Sequence, residues 1–138
     1  MDIYELADIL SSKTGFPVTS NNGANIRFSV TIPYIYKRKE IAVDYFGDDE
    51  VKVTLEIGKI DNSLENYELM NKLASQFGIK CYINFMGTLM IACNFKMVDF
   101  SSTALSMIAA HMRIMSGDVP DKYSNYNYYY RLLVKNCY

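Results

Sequence analysis

Three clusters in this chain carry the residue types that chemistry uses. The stretch "DYFGDDE" gathers Asp44, Asp48, Asp49 and Glu50. Oxygen-rich sets of this kind hold calcium or magnesium, and paired carboxylates move protons. The stretch "YIYKRK" sets Lys37, Arg38 and Lys39 beside Tyr34 and Tyr36. Cations interleaved with aromatics grip a phosphate backbone while stacking on bases. The single histidine, His111, is the one imidazole available for a proton relay or a metal.

Each cluster has a plainer reading. Gly47, Asp48 and Asp49 lie between two well-patterned strands, and Asp and Gly supply the backbone angles of a hairpin turn. His111 has Met107 and Met115 at four-residue helical spacing, poor partners for a proton relay or a hard metal. No second histidine is present to activate a serine or cysteine, and no Gly-rich phosphate loop occurs. The expectation is therefore a protein that is not an enzyme and needs no cofactor and no metal. Three consecutive cations at a hairpin tip are ordinarily a solvated cap that also guards strand edges.

The elements that would position these residues follow from periodicity. Ile3, Leu6, Ala7 and Leu10 predict a first helix, with Asp2 and Glu5 as a capping box and Gly15 as its stop. "GFPVTSNNGAN" reads as a loop. "NIRFSVTI", "EIAVDYF" and "VKVTLEI" alternate as strands, separated by the basic tip and the turn "GDDE". Such alternation gives one buried and one wet face, as in an antiparallel sheet covered on one side. A second helix is expected from near Asn62, with Glu65 in capping position and a stripe of Leu64, Tyr67, Met70, Leu73, Ala74 and Phe77. "IKCYINF" and "LMIACNF" follow as strands joined through Met86, Gly87 and Thr88, the second apolar enough to lie centrally. A third helix runs from Ser102 to Ser116, with Gly117 and Pro120 as its stop. The fold class is α+β, with a mostly antiparallel sheet of about five strands in the order α-βββ-α-ββ-α and a Tyr-rich C-terminal extension.

Composition narrows the remaining choices. The 138 residues read as one domain, a core of 1–117 and an extension of 118–138 packed on that core or on a partner. A net charge of -1 argues against a globally basic nucleic-acid binder. Cys81, Cys93 and Cys137 form no close pair; Cys81 and Cys93 sit in apolar runs, as buried thiols in a reducing, cytoplasmic compartment would. The N-terminus lacks the pattern of a signal peptide, and no run reaches the roughly 18 apolar residues of a membrane span.

The element order over residues 1 to about 116 resembles that of the type III secretion chaperones and the YbjN-like proteins that share their layout. That resemblance implies a small, non-enzymatic, dimeric protein that binds partly unfolded partner segments. The tyrosine-rich extension departs from that layout.

Six of the twelve tyrosines fall within residues 123–138. On the third helix Leu105, Ile108, Ala109, Met112 and Met115 form one stripe, and Ala104, Met107 and Ile114 lie away from its centre. Something besides the sheet should cover that second face. The tail could do so with Tyr126, Tyr128 and Tyr130 alternating as a strand does, or it could meet another chain. The primary expectation is a protein-binding module, a homodimer acting as chaperone, adaptor or inhibitor, one form being a phage or mobile-element protein that blocks a host enzyme. Its binding residues would be Met107, Ile114, Met115, Tyr126, Tyr128, Tyr129, Tyr130 and Arg131, with Lys135 helping Arg131 set orientation. The alternative is nucleic-acid association through Tyr34, Tyr36, Lys37, Arg38 and Lys39. No membrane partner is expected.

Overall fold

The computed structural model describes residues 2–45, 50–96 and 101–138. Its elements are α1 (Ile3–Thr14), β1 (Val18–Asn21), β2 (Asn25–Ile32), β3 (Lys37–Tyr45), β4 (Glu50–Lys59), α2 (Leu64–Phe77), β5 (Lys80–Ile83), β6 (Thr88–Lys96), α3 (Ser102–Met115) and α4 (Ser124–Asn136). The strands form one sheet in the order β1-β2-β3-β4-β6-β5, with every neighbouring pair antiparallel.

Alternation fixes which face of this sheet is buried. Ile26 pairs with Val43 and Phe28 with Ile41; Ile41 pairs with Leu55, which pairs with Ile91. These side chains share one face and are all buried, together with residues from the four helices. The opposite face carries Arg27, Glu40, Thr54 and Glu56. β6 is interior, paired on both sides as its composition predicts, and even Ala92 on its outward face is buried.

The sheet has six strands rather than about five. β1 lies in the stretch read as a loop, because three of its four residues are exposed and leave no apolar alternation to detect. It exists through backbone pairing with β2, Val18 opposite Phe28 and Asn21 opposite Ile26.

The helix boundaries are set by caps. Asp2 accepts a hydrogen bond from Glu5 N at 2.8 Å, and Gly15 closes α1 in the left-handed region. α2 is capped by Ser63, whose hydroxyl accepts from Asn66 N, so it starts later than expected and Glu65 is not the capping residue. Of the expected stripe, Met70 and Leu73 are buried and Ala74 and Phe77 half-buried, while Leu64 and Tyr67 are exposed and Asn66 and Leu69 complete the buried set. The predicted stripe of α3 holds, with Leu105, Ile108, Ala109, Met112 and Met115 all buried.

The tail is the largest departure from expectation. It forms a helix, not a strand, and buries Tyr126, Tyr130, Leu133 and Val134 against the core and α2. Those four residues have helical spacing, while the alternation of Tyr126, Tyr128 and Tyr130 leaves Tyr128 exposed.

Candidate protein-binding surface

The structure divides the predicted binding residues. Met115, Tyr126 and Tyr130 are core residues and present nothing to a partner. The Tyr126 hydroxyl donates to Ile114 O at 2.7 Å and the Tyr130 hydroxyl to Met115 O at 2.8 Å. These tyrosines bond carbonyls in the last turn of α3, where Ile114 O also accepts from Gly117 N at 3.0 Å. Burial pushes both phenols well above their ordinary pKa of 10.0. Phe77 meets the rings of Tyr123 and Tyr126 edge-on at 5.2 and 5.0 Å, which ties α2 to α4.

The other predicted residues reach the surface. Met107 and Tyr128 are each 50% exposed, Arg131 is exposed, and Ile114 and Tyr129 are half-buried. They do not form one patch around Met107: Ile114 sits in a shallow cleft with Phe77, Val119 and Tyr123, while Tyr128 carries the Arg131 guanidinium 5.7 Å from its ring centre. The second face of α3 is therefore shared out. α1 flanks it, with Lys13 Nζ donating to Ser106 Oγ at 3.2 Å, and the connection into α4 shields Ile114.

The basic cluster is not a loop tip. Pro33–Tyr36 make the turn, with Tyr34 and Tyr36 at positive φ of 73° and 54°, and Lys37–Lys39 open β3. Lys37 pairs with Ile32 and Lys39 with Val30, which puts both lysines on the helix-bearing face. Tyr34 meets α4 across a cleft of about 330 Å³ that Asp121, Ser124, Asn127, Tyr128 and Arg131 complete. Of the basic-aromatic cluster, Tyr34 alone lines this cleft with the tail, while Arg38 and Lys39 line other grooves.

Of the acidic cluster, Asp48 and Asp49 lie outside the described residues. Asp44 accepts from Asn25 Nδ2 at 2.6 Å, and Glu50 opens β4. Among the described residues no group of three or more His, Cys, Asp or Glu is placed to hold a metal. His111 accepts no role in such a group; its Nδ1 is 2.8 Å from Met107 O and its ring meets Phe95 edge-on at 5.1 Å. Cys93 is buried and Cys81 and Cys137 are half-buried, all three free thiols. Burial pushes the first two up to about 12 and Cys137 to about 11, from an ordinary 9.0.

One surface escaped the sequence reading. Phe85 is 99% exposed in the β5–β6 turn, beside Met86. Lys59 Nζ donates to Met86 O, and Tyr138 N donates to Lys59 O at 2.8 Å. Asn136 Nδ2 donates to Asn66 Oδ1 at 2.8 Å, two residues beyond exposed Leu64. Phe85, Met86, Leu64 and Tyr138 (73% exposed) thus gather at one end of the molecule. The signal was present: a turn "NFMG" with two large apolar residues is not what solvation alone selects.

Comparison with known structures places this architecture. Over 81% of this chain and 94% of its own, the type III secretion chaperone SycH of Yersinia pestis superposes with a TM-score of 0.51 at 17% identity. That chaperone was solved in complex with a stable fragment of YscM2. The chain shares its fold. A chain of the heterodimeric ExoU–SpcU complex, from the type III secretion system of Pseudomonas aeruginosa, matches at the same TM-score and 15% identity, over 89% of this chain and 95% of its own. The element order read from the sequence thus corresponds to the secretion-chaperone fold. No protein-family model and no curated protein sequence matches the chain. Among the described residues, no helix is long and apolar enough to cross a membrane.

Proposed function

We propose that this chain is a non-enzymatic protein-binding module of the chaperone type, which holds a segment of a partner polypeptide. The observation that carries this reading is the fold, since the chains that share it were each solved with another protein. Large exposed side chains support it: Phe85, Met86, Leu64 and Tyr138 at one end, and Tyr128 and Met107 elsewhere. Apolar residues held in water by an ordered backbone gain when a partner removes them from it.

In the same reading the chain is a homodimer, joined through the Phe85 end. β5 is an edge strand there, and Phe85 and Met86 beside it supply apolar area. The same burial of a partner's surface would serve an adaptor or an inhibitor, and what distinguishes the chaperone is release of the partner in a competent state.

Two measurements test this. Light scattering after size-exclusion chromatography should give a dimer for the native chain and a monomer for the Phe85→Ser, Met86→Ser variant, with unchanged circular dichroism. A monomeric native chain at high concentration would sink the dimer. Partner capture from source-cell lysate should survive nuclease and high salt, because burial of Tyr and Met is not driven by counterion release. Capture that nuclease abolishes would instead support the nucleic-acid alternative.

A further inference from the structure

β2 outruns its neighbour on one side. β1 pairs with it from Asn21 opposite Ile26 to Val18 opposite Phe28, and Ser29 N then donates to Pro17 O at 2.9 Å. On the other side β3 accompanies β2 as far as Ile32. The chain joins the β1 line only after leaving α1 through Gly15 at φ 77°, so β2 beyond Ser29 has no strand beside it on that edge.

The backbone of this stretch defines what could fill the gap. The Ser29 N–H points to the β1 side, and alternation turns the N–H and C=O of Thr31 the same way. Pro17 has no N–H to return, which leaves the Ser29 carbonyl without a strand donor. Among the described residues no other backbone group bonds Thr31 there. Such groups bond water until a chain replaces it.

A cavity of about 450 Å³ lies against this edge. Phe16 and Pro17 line one wall, Gly117 and Asp118 line the other, and Arg38 reaches in from β3. Asp118 is already held by Arg113 at 2.8 Å, whereas Arg38 has no ion-pair partner among the described residues. The uncompensated charge is therefore positive.

We propose that this slot takes the last two residues of a partner polypeptide, carboxyl end inward, as a short added strand. The terminal residue lies antiparallel opposite Thr31. Its N–H donates to Thr31 O, one carboxylate oxygen accepts from Thr31 N–H, and the other oxygen meets Arg38. The penultimate side chain points to the helix-bearing face, as Ile32 does, beside Pro33. The occupant is a chain end because the slot is closed: a strand continuing past Thr31 would run into Phe16 and Pro17, which already hold the edge at Ser29. Two extended residues span about 7 Å, and the cavity is large enough for both. The proposal rests on the protein-binding reading above and names the part of the partner that this slot holds.

NMR of the full, isotope-labelled chain tests this with three probes: N-acetyl-Val-Ser with a free carboxylate, the same dipeptide as its C-terminal amide, and acetate. The free acid should shift the Thr31 and Ser29 amide signals saturably, with a Kd of about 1 mM or below. The amide and acetate should each bind at least about tenfold more weakly, one lacking the charge and the other the strand. Arg38→Gln should bring the free acid down to the level of the amide. Lys37→Gln, on the other face of β3, should not. Equal binding of acid and amide to the native chain would overturn the proposal, as would acetate binding as tightly as the dipeptide, or no saturable shift at Thr31. A partner captured equally by the native chain and the folded Arg38→Gln variant would remove the slot and leave the protein-binding reading standing.

Discussion

Gly117 shows how little freedom single residues have where α3 meets α4. Its φ is +81°, and an added Cβ would lie 2.6 Å from Tyr130 Cε1 and 2.8 Å from Pro33 Cγ. Both the backbone conformation and the space demand glycine, so Gly117→Ala should destabilise the chain by about 2 kcal/mol or more in urea unfolding. Tyr130→Phe keeps the ring and removes only the hydroxyl bonded to Met115 O. It should cost about 1–2 kcal/mol, against a near-neutral Tyr128→Phe. The raised thiols and phenols predict an alkaline limit. Unfolding lets Cys81 and Cys93 titrate near 9.0, whereas the folded chain holds them protonated up to about 12. Above pH 9 the unfolded state therefore binds fewer protons, and stability falls as pH rises from about 9 toward 12. Denaturant midpoints across that range should decline, and less steeply in Cys81→Ala, Cys93→Ala.

At the scale of elements, α4 is the piece on which the rest depends. It contributes Tyr126, Tyr130, Leu133 and Val134 to the core. Burying an apolar side chain is worth about 1.5–3 kcal/mol, and a whole domain has about 5–15 kcal/mol in hand. A chain ending at Asp118 should thus lose cooperative thermal unfolding, and a cooperative transition near the native midpoint would contradict this account of the tail. A smaller tie is the bond of Asn136 to Asn66, which joins the end of α4 to the first turn of α2. Asn66 is buried and also donates to Asp61 O at 2.9 Å. A double-mutant cycle on Asn66→Ala and Asn136→Ala should return a coupling of about 0.5–1.5 kcal/mol.

For the whole molecule, the apolar end around Phe85 and the cleft beside Tyr34 lie on different elements. The Phe85 end is built by the β5–β6 turn, the start of α2 and the C-terminus, while the cleft beside Tyr34 is built by the β2–β3 turn and α4. A dimer through the first leaves the second in solvent.

The sequence by itself determined the elements whose side chains repeat with a clean period. The strands β2 to β4 and the stripe of α3 are set by which residues must leave water, and that information is local. It determined the absence of a paired histidine and the α+β class in the same way. Tertiary structure decided the rest. β1 exists because β2 offers it an edge, and its own side chains stay in solvent. The tail holds both a strand-like and a helical period. The helical one prevails because it sets Tyr126 and Tyr130 against the core, where their hydroxyls reach carbonyls in the last turn of α3. The meeting of Tyr34 with Arg131 is likewise a product of packing, since nothing in either segment names the other.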